Sequence, residues 1–343
     1  MAAGPNEDKT HSVADPHEGN MKSSHSYGVL MAVTAGVLWG LVPIVLKYLL
    51  SVCSIGTIIW FRFTTSFLVL VAVYAVKDPG SFRVIKKPPL LGILAGLALA
   101  ANYFGSTMGV HLTSPSNAQV LGQIGPLLLT VAGMVYFKER LNPKQKFGLV
   151  LTLCGFIFFY QDQIRGLLID RGTYIRGDLW IVFGSSIWAV FAISQKILVR
   201  RMTPQQANLI IYAVAALVFF PQVRFHEFGQ LPWLGWALLC FMGANTLVAY
   251  GALAVALKLI EANQVALVVV LNPIITMACM AFLSTHQLGW LGVENITIVG
   301  YFGAGAMLAG VGLVVTYATQ VGTSPAMQKN QTASNRHDDD RNK

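Results

Sequence analysis

The stretch GVLMAVTAGVLWGLVPIVL, residues 28–46, has no charged side chain at any position. The stretch from residue 90 to residue 110 has the same property. A helix needs about 20 apolar residues to cross the hydrocarbon core of a bilayer. Backbone groups cannot stay unpaired in lipid, so runs of this length must be helices there. Each stretch therefore predicts one membrane-spanning helix.

The composition of the whole chain supports this prediction. Hydrophobic residues make up 55% of the 343 positions and charged residues 11%, against about 25% charged residues in soluble domains. The mean hydropathy is +0.59. The net charge of +9 does not indicate nucleic-acid binding, because the basic residues lie between the apolar runs and not along one face. The four cysteines lie singly in or beside apolar segments, so we expect no disulfide framework, metal site or cofactor.

Charge-free segments between clusters of charge predict an all-α integral membrane protein with ten transmembrane helices. The predicted spans are residues 27–50, 55–76, 90–110, 115–137, 146–160, 177–199, 205–221, 231–257, 263–283 and 296–319. The polar ends, residues 1–26 and 320–343, are predicted to be disordered tails. Residues 161–176 are predicted to link the fifth and sixth spans.

Lysine and arginine are divided unevenly between the two sides of these spans. With a cytoplasmic N-terminus, 18 of the 24 basic residues fall in cytoplasmic segments and five fall outside, while Arg62 lies within the second span. Cytoplasmic loops of membrane proteins carry the excess of basic residues. The sequence therefore predicts a plasma (inner) membrane protein with both termini cytoplasmic and the linker 161–176 outside.

The two halves of the chain share residues at nearly constant spacing. The matched pairs are Gly28 and Gly177, Trp39 and Trp188, Lys47 and Lys196, Gly96 and Gly243, Tyr103 and Tyr250, Pro126 and Pro273, Gly148 and Gly303, and Gly155 and Gly310. They predict two five-helix repeats, residues 27–160 and 177–319. Because each repeat has an odd number of spans, the repeats must cross the membrane in opposite directions. Inverted repeats are typical of secondary transporters, which bind substrate near the bilayer midplane.

This arrangement resembles the ten-helix drug/metabolite transporter superfamily, and within it the EamA-type permeases. The residues that carry the resemblance are Ser116, Asn117, Ala118, Pro126, the KER sequence of Lys138 to Arg140, Gly148 and Gly155, and in the second half Asn263, Pro273, Gly303 and Gly310. It covers residues 27–319. One departure is that the position corresponding to Glu139 is His286. The resemblance implies export or uptake of a small organic metabolite by alternating access.

Polar side chains within the predicted spans are candidate substrate-binding groups, because polar groups at membrane depth are costly. Gln119 and Gln123 are four residues apart and Pro126 follows three positions later, so all three share one helix face. Pro126 also frees a backbone carbonyl about one turn earlier. The two glutamines either contact substrate or join neighbouring helices by hydrogen bonds.

Three further pairs of side chains complete the candidate substrate-binding set. They are Asn102 and Tyr103 in the third span, Asn245 and Tyr250 in the eighth, and Trp39 and Trp188 in the middle of the first and sixth. The first two pairs either face one cavity or pack with satisfied polar groups. The tryptophans lie away from the interfacial level where tryptophan is common, and they either stack on a ligand or fill space in the core.

Charged residues in the spans are few. Arg62 lies about seven residues into the second span. The family resemblance implies that it binds an anionic group, and the alternative is that it pairs with carbonyls or reaches headgroups. We assign it a structural or gating role together with Pro126 and Pro273. Lys47 and Lys196 are expected to reach the membrane interface from helix ends. Glu139 and Glu261 also lie at span ends, so we expect no proton relay through buried carboxylates.

These features predict a secondary transporter of a small neutral or zwitterionic metabolite, with an amino acid as the first candidate. We expect a monomer or homodimer in the lipid bilayer that is not an enzyme and has no nucleic-acid partner. One alternative is an intramembrane enzyme that modifies a lipid, which would need a nucleophile with its base or a metal cluster. Another is a membrane scaffold that transports nothing. Transport into proteoliposomes separates these alternatives.

Overall fold

The computed structural model of the chain describes residues 16–159, 161, 173–284 and 297–318, and every regular element among them is helical. The α-helices are α1 (Pro16–Leu49), α2 (Ile55–Lys77), α3 (Arg83–Lys86), α4 (Leu90–Leu112), α5 (Pro115–Gly122), α6 (Ile124–Val135), α7 (Pro143–Phe159), α8 (Thr173–Leu198), α9 (Pro204–Phe219), α10 (His226–Gln230), α11 (Trp233–Leu259), α12 (Ala262–Val269), α13 (Asn272–Ser284) and α14 (Ile298–Ala318). Two short 3₁₀ turns, Pro79–Phe82 and Phe220–Gln222, follow α2 and α9.

Eight segments of the described chain are long and apolar enough to cross a membrane. They are Ser24–Leu49, Ile55–Lys77, Leu90–Leu112, Pro115–Val135, Ile175–Leu198, Pro204–Gln222, Trp233–Leu259 and Ala262–Leu283. Each coincides with a predicted span to within a few residues. At the other two predicted spans, α7 has 17 residues and the apolar stretch of α14 is limited to Ile298–Val314. Helix α1 begins eleven residues before its predicted span, and most of the predicted linker 161–176 lies outside the described residues, as does His286.

The outer surface of the bundle is apolar, as a lipid-facing surface must be. Large hydrophobic side chains are well exposed there, among them Leu94 on α4, Leu217 on α9 and Phe302 on α14. The polar side chains lie on the inside, where Arg62 is 3% exposed and Thr246 fully buried. This distribution is the reverse of that in a soluble domain, where charged side chains are mostly exposed.

Two of the predicted spans are broken near their middles, which the sequence did not predict. The fourth consists of α5 and α6 with a turn at Gln123, and the ninth consists of α12 and α13 with a turn at residues 270–271. Each second segment carries a proline in its first turn, Pro126 in α6 and Pro273 in α13. Proline has no backbone N–H to donate to the carbonyl four residues earlier. Because Pro126 and Pro273 are a repeated pair, the two breaks lie at matching positions of the two halves.

The helix contacts come in exchangeable pairs. Helix α1 packs on α11, and α4 packs on α8; α2 packs on α11, and α4 packs on α9. The half-helices follow the same pattern, since α6 packs on α8 and α12, while α13 packs on α1 and α5. The repeat spacing makes counterparts of α1 and α8, α2 and α9, α4 and α11, α5 and α12, and α6 and α13. When each helix is replaced by its counterpart, one contact of every pair becomes the other.

Helices α7 and α14 pack along each other through glycines. A Cβ atom on Gly155 would lie 2.6 Å from the Met307 backbone nitrogen, and one on Gly148 would lie 2.7 Å from the Gly310 carbonyl oxygen. Small residues allow two helix backbones to approach this closely in membranes. The repeated glycines Gly148 and Gly155 thus face the repeated glycines of α14, Gly303 and Gly310.

We call the side of the bundle where α1 begins, and where α6, α8 and α11 end, the N-face. There Lys138 takes a left-handed backbone conformation, with φ 56°, and turns the chain after α6. The next side chain, Glu139, accepts hydrogen bonds from the backbone N–H groups of Ala262 (2.8 Å) and Asn263 (3.0 Å), which begin α12. The Glu139 carboxylate also pairs with Lys196 Nζ at 2.9 Å. We call this set of contacts the N-face clasp.

The N-face clasp buries a carboxylate that lies just beyond the end of a predicted span. Both ionised side chains in it are only 7% exposed, which the position of Glu139 in the sequence did not indicate. The burial comes from contact between the two halves of the chain, which position at a helix end does not reveal. Next to the clasp, burial and the nearby Glu139 carboxylate raise the pKa of Glu261.

The two repeated lysines bind backbone carbonyls at the ends of neighbouring helices. Lys47 Nζ donates to the carbonyl oxygens of Val110 (3.2 Å) and Thr113 (2.8 Å) at the end of α4. Lys196 Nζ donates to the Ile260 carbonyl (3.2 Å) at the end of α11. The last carbonyls of a helix lack hydrogen-bond donors and carry partial negative charge. A lysine ammonium supplies both a donor and a positive charge. Only Lys196 also has a carboxylate partner among the described residues.

Candidate functional site

A cavity of about 170 Å³ lies in the middle of the helix bundle. Residues from both halves line it: Trp39, Val42, Pro43, Leu46, Arg62, Asn102, Tyr103, Ser106, Thr107, Val110, Ala118, Gln119, Gly122, Gln123 and Pro126 from the first, and Ile181, Ser185, Trp188, Tyr250, Val269 and Asn272 from the second. Both helix breaks border the cavity. Its lining extends from the middle of the helices toward the face opposite the N-face, where α1 ends and α8 begins.

Four aromatic rings form one wall of this cavity. The Trp39 ring meets the Trp188 ring edge to face at 5.9 Å and the Tyr250 ring at 5.0 Å, and the Tyr103 ring lies 5.9 Å from Tyr250. The Trp39 indole nitrogen is buried and has no hydrogen-bond partner among the described residues. A buried indole N–H usually has a partner. Trp39 therefore presents an unused donor beside an apolar wall.

The two glutamines of α5 and its following turn differ in their contacts. Gln119 Nε2 donates to the Thr276 hydroxyl (3.0 Å) on α13 and to the Trp39 carbonyl (3.3 Å) on α1, so it joins three helices. Gln123 Nε2 donates only to the Gln119 carbonyl one turn back (3.1 Å). The Gln123 side-chain oxygen is buried without a partner in the described part of the chain. Gln119 thus serves helix packing as well as lining the cavity, and Gln123 leaves an acceptor unused.

Polar side chains close the two helix breaks in complementary ways. In the first half, the Ser185 hydroxyl of α8 accepts from the Gly125 N–H (2.7 Å) and donates to the Gly122 carbonyl. In the second half, the Asn272 amide, assigned so that its nitrogen faces two carbonyl oxygens, donates to Val269 and Gly36, both at 2.9 Å. The repeat spacing pairs Gly36 with Ser185. In the first half the bridging side chain, Ser185, comes from the neighbouring helix α8. In the second half the bridging side chain, Asn272, belongs to the broken helix itself.

Among the described residues, Arg62 is the one charged residue that lines the cavity. Its Nε donates to the Thr246 hydroxyl on α11 at 2.9 Å, and one terminal nitrogen donates to the Tyr103 hydroxyl on α4 at 3.1 Å. The guanidinium carbon lies 4.5 Å from the centre of the Tyr103 ring. Arg62 therefore faces the interior of the bundle and not the headgroups, and its hydrogen bonds go to hydroxyl groups and not to carbonyls.

The structure brings together most of the predicted site residues, but not all of them. Asn102 lines the cavity, yet its amide nitrogen donates to the Gly184 carbonyl of α8 (2.9 Å). Asn245 lies outside the lining and donates to the Leu38 carbonyl of α1 (2.8 Å). Pro273 is also outside it, one residue beyond Asn272. Each asparagine binds the backbone of a neighbouring helix. Asn102 of α4 binds α8, and Asn245 of α11 binds α1.

The two polar side chains that close the helix breaks were missed by sequence reasoning. Ser185 and Asn272 border the helix breaks, and neither has a polar counterpart in the repeat alignment. A usable signal was present, because each is a polar residue inside an apolar run and Asn272 directly precedes the repeated Pro273. Weighing every intramembrane polar residue near a repeated proline would have found Asn272. Ser185 lies on another helix and needed the three-dimensional arrangement.

The groups that line this cavity are suited to recognising a small molecule. It combines a buried guanidinium, an unused amide oxygen, an unused indole N–H and four aromatic rings. Among the described residues, no three His, Cys, Asp or Glu side chains come together as ligands for a metal ion. Few polar groups at fixed positions among apolar walls are typical of sites that bind a small molecule.

Comparison with known proteins agrees with this geometry. The model of the EamA-like transporter family matches residues 26–161 and 175–316. The protein named Uncharacterized inner membrane transporter YhbE of Escherichia coli strain K12 is 31% identical over 293 residues, which cover 84% of this chain and 91% of that protein. An uncharacterized transporter of Haemophilus influenzae is 29% identical over 300 residues, covering 85% of this chain and 97% of its own.

A solved crystal structure shares the fold. It superposes with a TM-score of 0.65 at 18% sequence identity and covers 86% of this chain and 99% of its own. The family match covers both halves of the chain, including the cavity, the two breaks and the N-face clasp. The chain belongs to the EamA-like transporter family.

Proposed function

We propose that this protein is a secondary transporter that moves a small metabolite, with an amino acid as the first candidate, by alternating access between two halves. The observation that carries the proposal is the central cavity bordered by two broken helices. Discontinuous helices near the bilayer midplane form the substrate sites of many secondary transporters, because unpaired backbone is tolerated only where it is covered by protein or faces a cavity.

The proposed architecture is two inverted repeats of five helices each, ten transmembrane helices in all. The exchangeable contact pairs, the matching breaks and the matching lysine contacts support a twofold relation between the halves. Opposite insertion follows from the odd number of helices per half. The excess of basic residues supports cytoplasmic termini in an inner membrane, the location named for the Escherichia coli relative.

Alternating access requires that one face close while the other gives entry to the cavity. The N-face clasp supports closure of the N-face, because Glu139 of the first half binds the start of α12 and Lys196 of the second. The lining that extends to the other face supports entry from there. Because one chain supplies both halves, we propose a single chain as the transporting unit.

A pair of glycine substitutions tests the proposed site. Gly122 lines the cavity, and a Cβ atom there would meet nothing within 4 Å. The Cβ atom of Gly122→Leu therefore has room, and the rest of the leucine side chain should extend into the cavity. Gly251 on α11 has equally open surroundings but is outside the lining, so Gly251→Leu is the matched control.

The measurement is counterflow of radiolabelled amino acids and other small metabolites into proteoliposomes. We expect wild type and Gly251→Leu to exchange at least one solute and Gly122→Leu to lose more than tenfold in rate. Equal rates for both variants would place the pathway elsewhere. No exchange of any solute by the wild type, with the protein folded, would contradict the transport proposal.

A further inference from the structure

We infer that Arg62 is a carboxylate anchor, and that the substrate class is small organic molecules with one carboxylate. The inference rests on the proposed transport function and specifies what the same cavity binds. It goes beyond the expectation of a neutral lining, because it makes a net positive site the determinant of specificity.

The first argument is charge balance. Arg62 is 3% exposed, and among the described residues no Asp or Glu side chain pairs with it. A buried charge is costly unless it is paired. Among the described residues the rest of the lining is neutral, so one carboxylate group would pair with the buried guanidinium. A doubly charged phosphate would leave an uncompensated negative charge, which favours a group with a single negative charge, on either an anion or a zwitterion.

The second argument is the geometry of the guanidinium. Arginine has five N–H donors in a planar fork, which matches the two oxygens of a carboxylate. Hydrogen bonds to Thr246 and Tyr103 use Nε and one terminal nitrogen, and the Tyr103 ring supports one side of the plane. The group is thus fixed from two helices before a ligand arrives. Such preorganisation lowers the entropic cost of binding.

The third argument concerns the remainder of the ligand. The same cavity holds the unpaired Gln123 oxygen, the unpaired Trp39 N–H and an aromatic wall. These groups suit a molecule with an apolar body and one further polar group. The ammonium of an amino acid can donate to the Gln123 oxygen, and a 2-oxo acid can accept from the indole.

The alternative is that Arg62 only joins α2 to α4 and α11. Both of its hydrogen bonds cross between helices, so removing the side chain would lower stability under either interpretation. The discriminating quantity is therefore a ratio of affinities, which a purely structural role would leave unchanged.

The experiment uses matched probes with the side chains of alanine, leucine and phenylalanine. Each set contains the amino acid, its carboxamide and the corresponding 2-oxo acid, and binding to purified protein is titrated by the shift in melting temperature. A ligand that binds only the folded state stabilises it by RT ln(1 + [L]/Kd), so the shift at a fixed ligand concentration increases with affinity. We expect at least one acid to bind tenfold or more tightly than its carboxamide.

Three variants assign that preference to Arg62. Arg62→Gln should bring the ratio of acid to carboxamide affinity to about one, and Arg62→Lys, which keeps the charge without the fork, should give an intermediate ratio. Lys47→Gln removes another cation, whose hydrogen bonds within the described part of the chain go to backbone carbonyls, and it should keep the full ratio. If Arg62→Gln does not fold, Arg62→Lys and the wild-type ratio decide.

Two outcomes would contradict the role of Arg62 as a carboxylate anchor. One is that the wild type shows no preference for the acid in any set of probes, and the other is that the preference persists in Arg62→Gln. Counterflow of the same probes separates this inference from the transport proposal. Acids that bind through Arg62 without exchange would contradict transport and leave the anchor standing. Exchange limited to solutes that lack a carboxylate would support transport and contradict the anchor.

Discussion

At Gln123 the side-chain nitrogen donates within its own helix segment, and the side-chain oxygen has no partner among the described residues. At Gln119, one turn earlier, the amide nitrogen joins three helices through Thr276 and Trp39. An unsatisfied buried acceptor costs free energy that a ligand donor can recover. The two glutamines should therefore respond differently to the same substitution.

Gln123→Leu should weaken substrate binding by about 1–3 kcal/mol, the penalty for leaving a partner unpaired, with little change in melting temperature. Gln119→Leu should lower the melting temperature, because it removes contacts between helices. Thr276→Val is the matched control, since it removes the hydroxyl that Gln119 binds without altering the cavity lining. Affinity titrations and thermal melts measure both effects. Unchanged affinity with a lowered melting temperature in Gln123→Leu would assign that residue to helix packing.

Sequence reasoning found residues at this scale when their chemistry was exceptional for a membrane. Gln119, Gln123, Arg62 and both mid-span tryptophans all line the cavity. It could not assign Asn245, because an asparagine that binds the backbone of the next helix and one that faces a cavity have the same local sequence. Only the packing of α11 on α1 distinguishes them.

At the scale of helices, the contact between α7 and α14 depends on the absence of side chains. A Cβ atom on Gly310 would overlap the Thr152 hydroxyl and the Gly148 carbonyl, whereas one on Gly312 would meet nothing within 4 Å. Gly310→Ala should therefore force the helices apart and lower the melting temperature by several degrees. Gly312→Ala, in the same helix, should leave it unchanged or slightly raised, since alanine favours helix over glycine. Equal melting temperatures for the two variants would contradict this packing.

The N-face clasp permits a double-mutant cycle. Removing one member of a buried ion pair leaves the other uncompensated, at a cost of about 3–5 kcal/mol. Glu139→Gln and Lys196→Met should each destabilise the protein by that order, and the double variant should lose less than the sum. Lys47→Met is the control without a carboxylate partner and should cost less. Strict additivity of the Glu139 and Lys196 variants would show that the two side chains are not coupled.

The helices themselves were predictable, because length and hydrophobicity decide whether a segment can span a bilayer. The breaks at Gln123 and at residues 270–271 were not, since the segments on either side remain apolar and membrane helices often contain proline without breaking. The burial of Glu139 depends on α12, more than 120 residues away in the chain. Neither property is encoded within a single span.

At the scale of the whole molecule, the orientation in the membrane is open to a direct test. In a background with all four cysteines replaced, Thr173→Cys at the start of α8 should react with a membrane-impermeant maleimide on intact cells. Ser324→Cys in the C-terminal tail should react only after lysis. The expectation follows from the division of basic residues, 18 against five. The opposite labelling pattern would invert the topology.

Among the described residues, the N-face joins the two halves by an ion pair, whereas the other face joins them by hydrogen bonds alone, from Ser54 to the Glu227 carboxylate and from Asn117 to Asp178, and Lys47 there binds only backbone carbonyls. A carrier whose two gates differ in strength does not rest equally in its two states. A solute that arrives at the stronger gate meets a receptive protein for only a fraction of the time, and its half-saturation concentration rises by the inverse of that fraction. For an uncoupled carrier, equilibrium demands the same ratio of maximal rate to half-saturation from both sides. This protein should therefore be an asymmetric carrier, with high affinity and low capacity for solute from one side and the converse from the other.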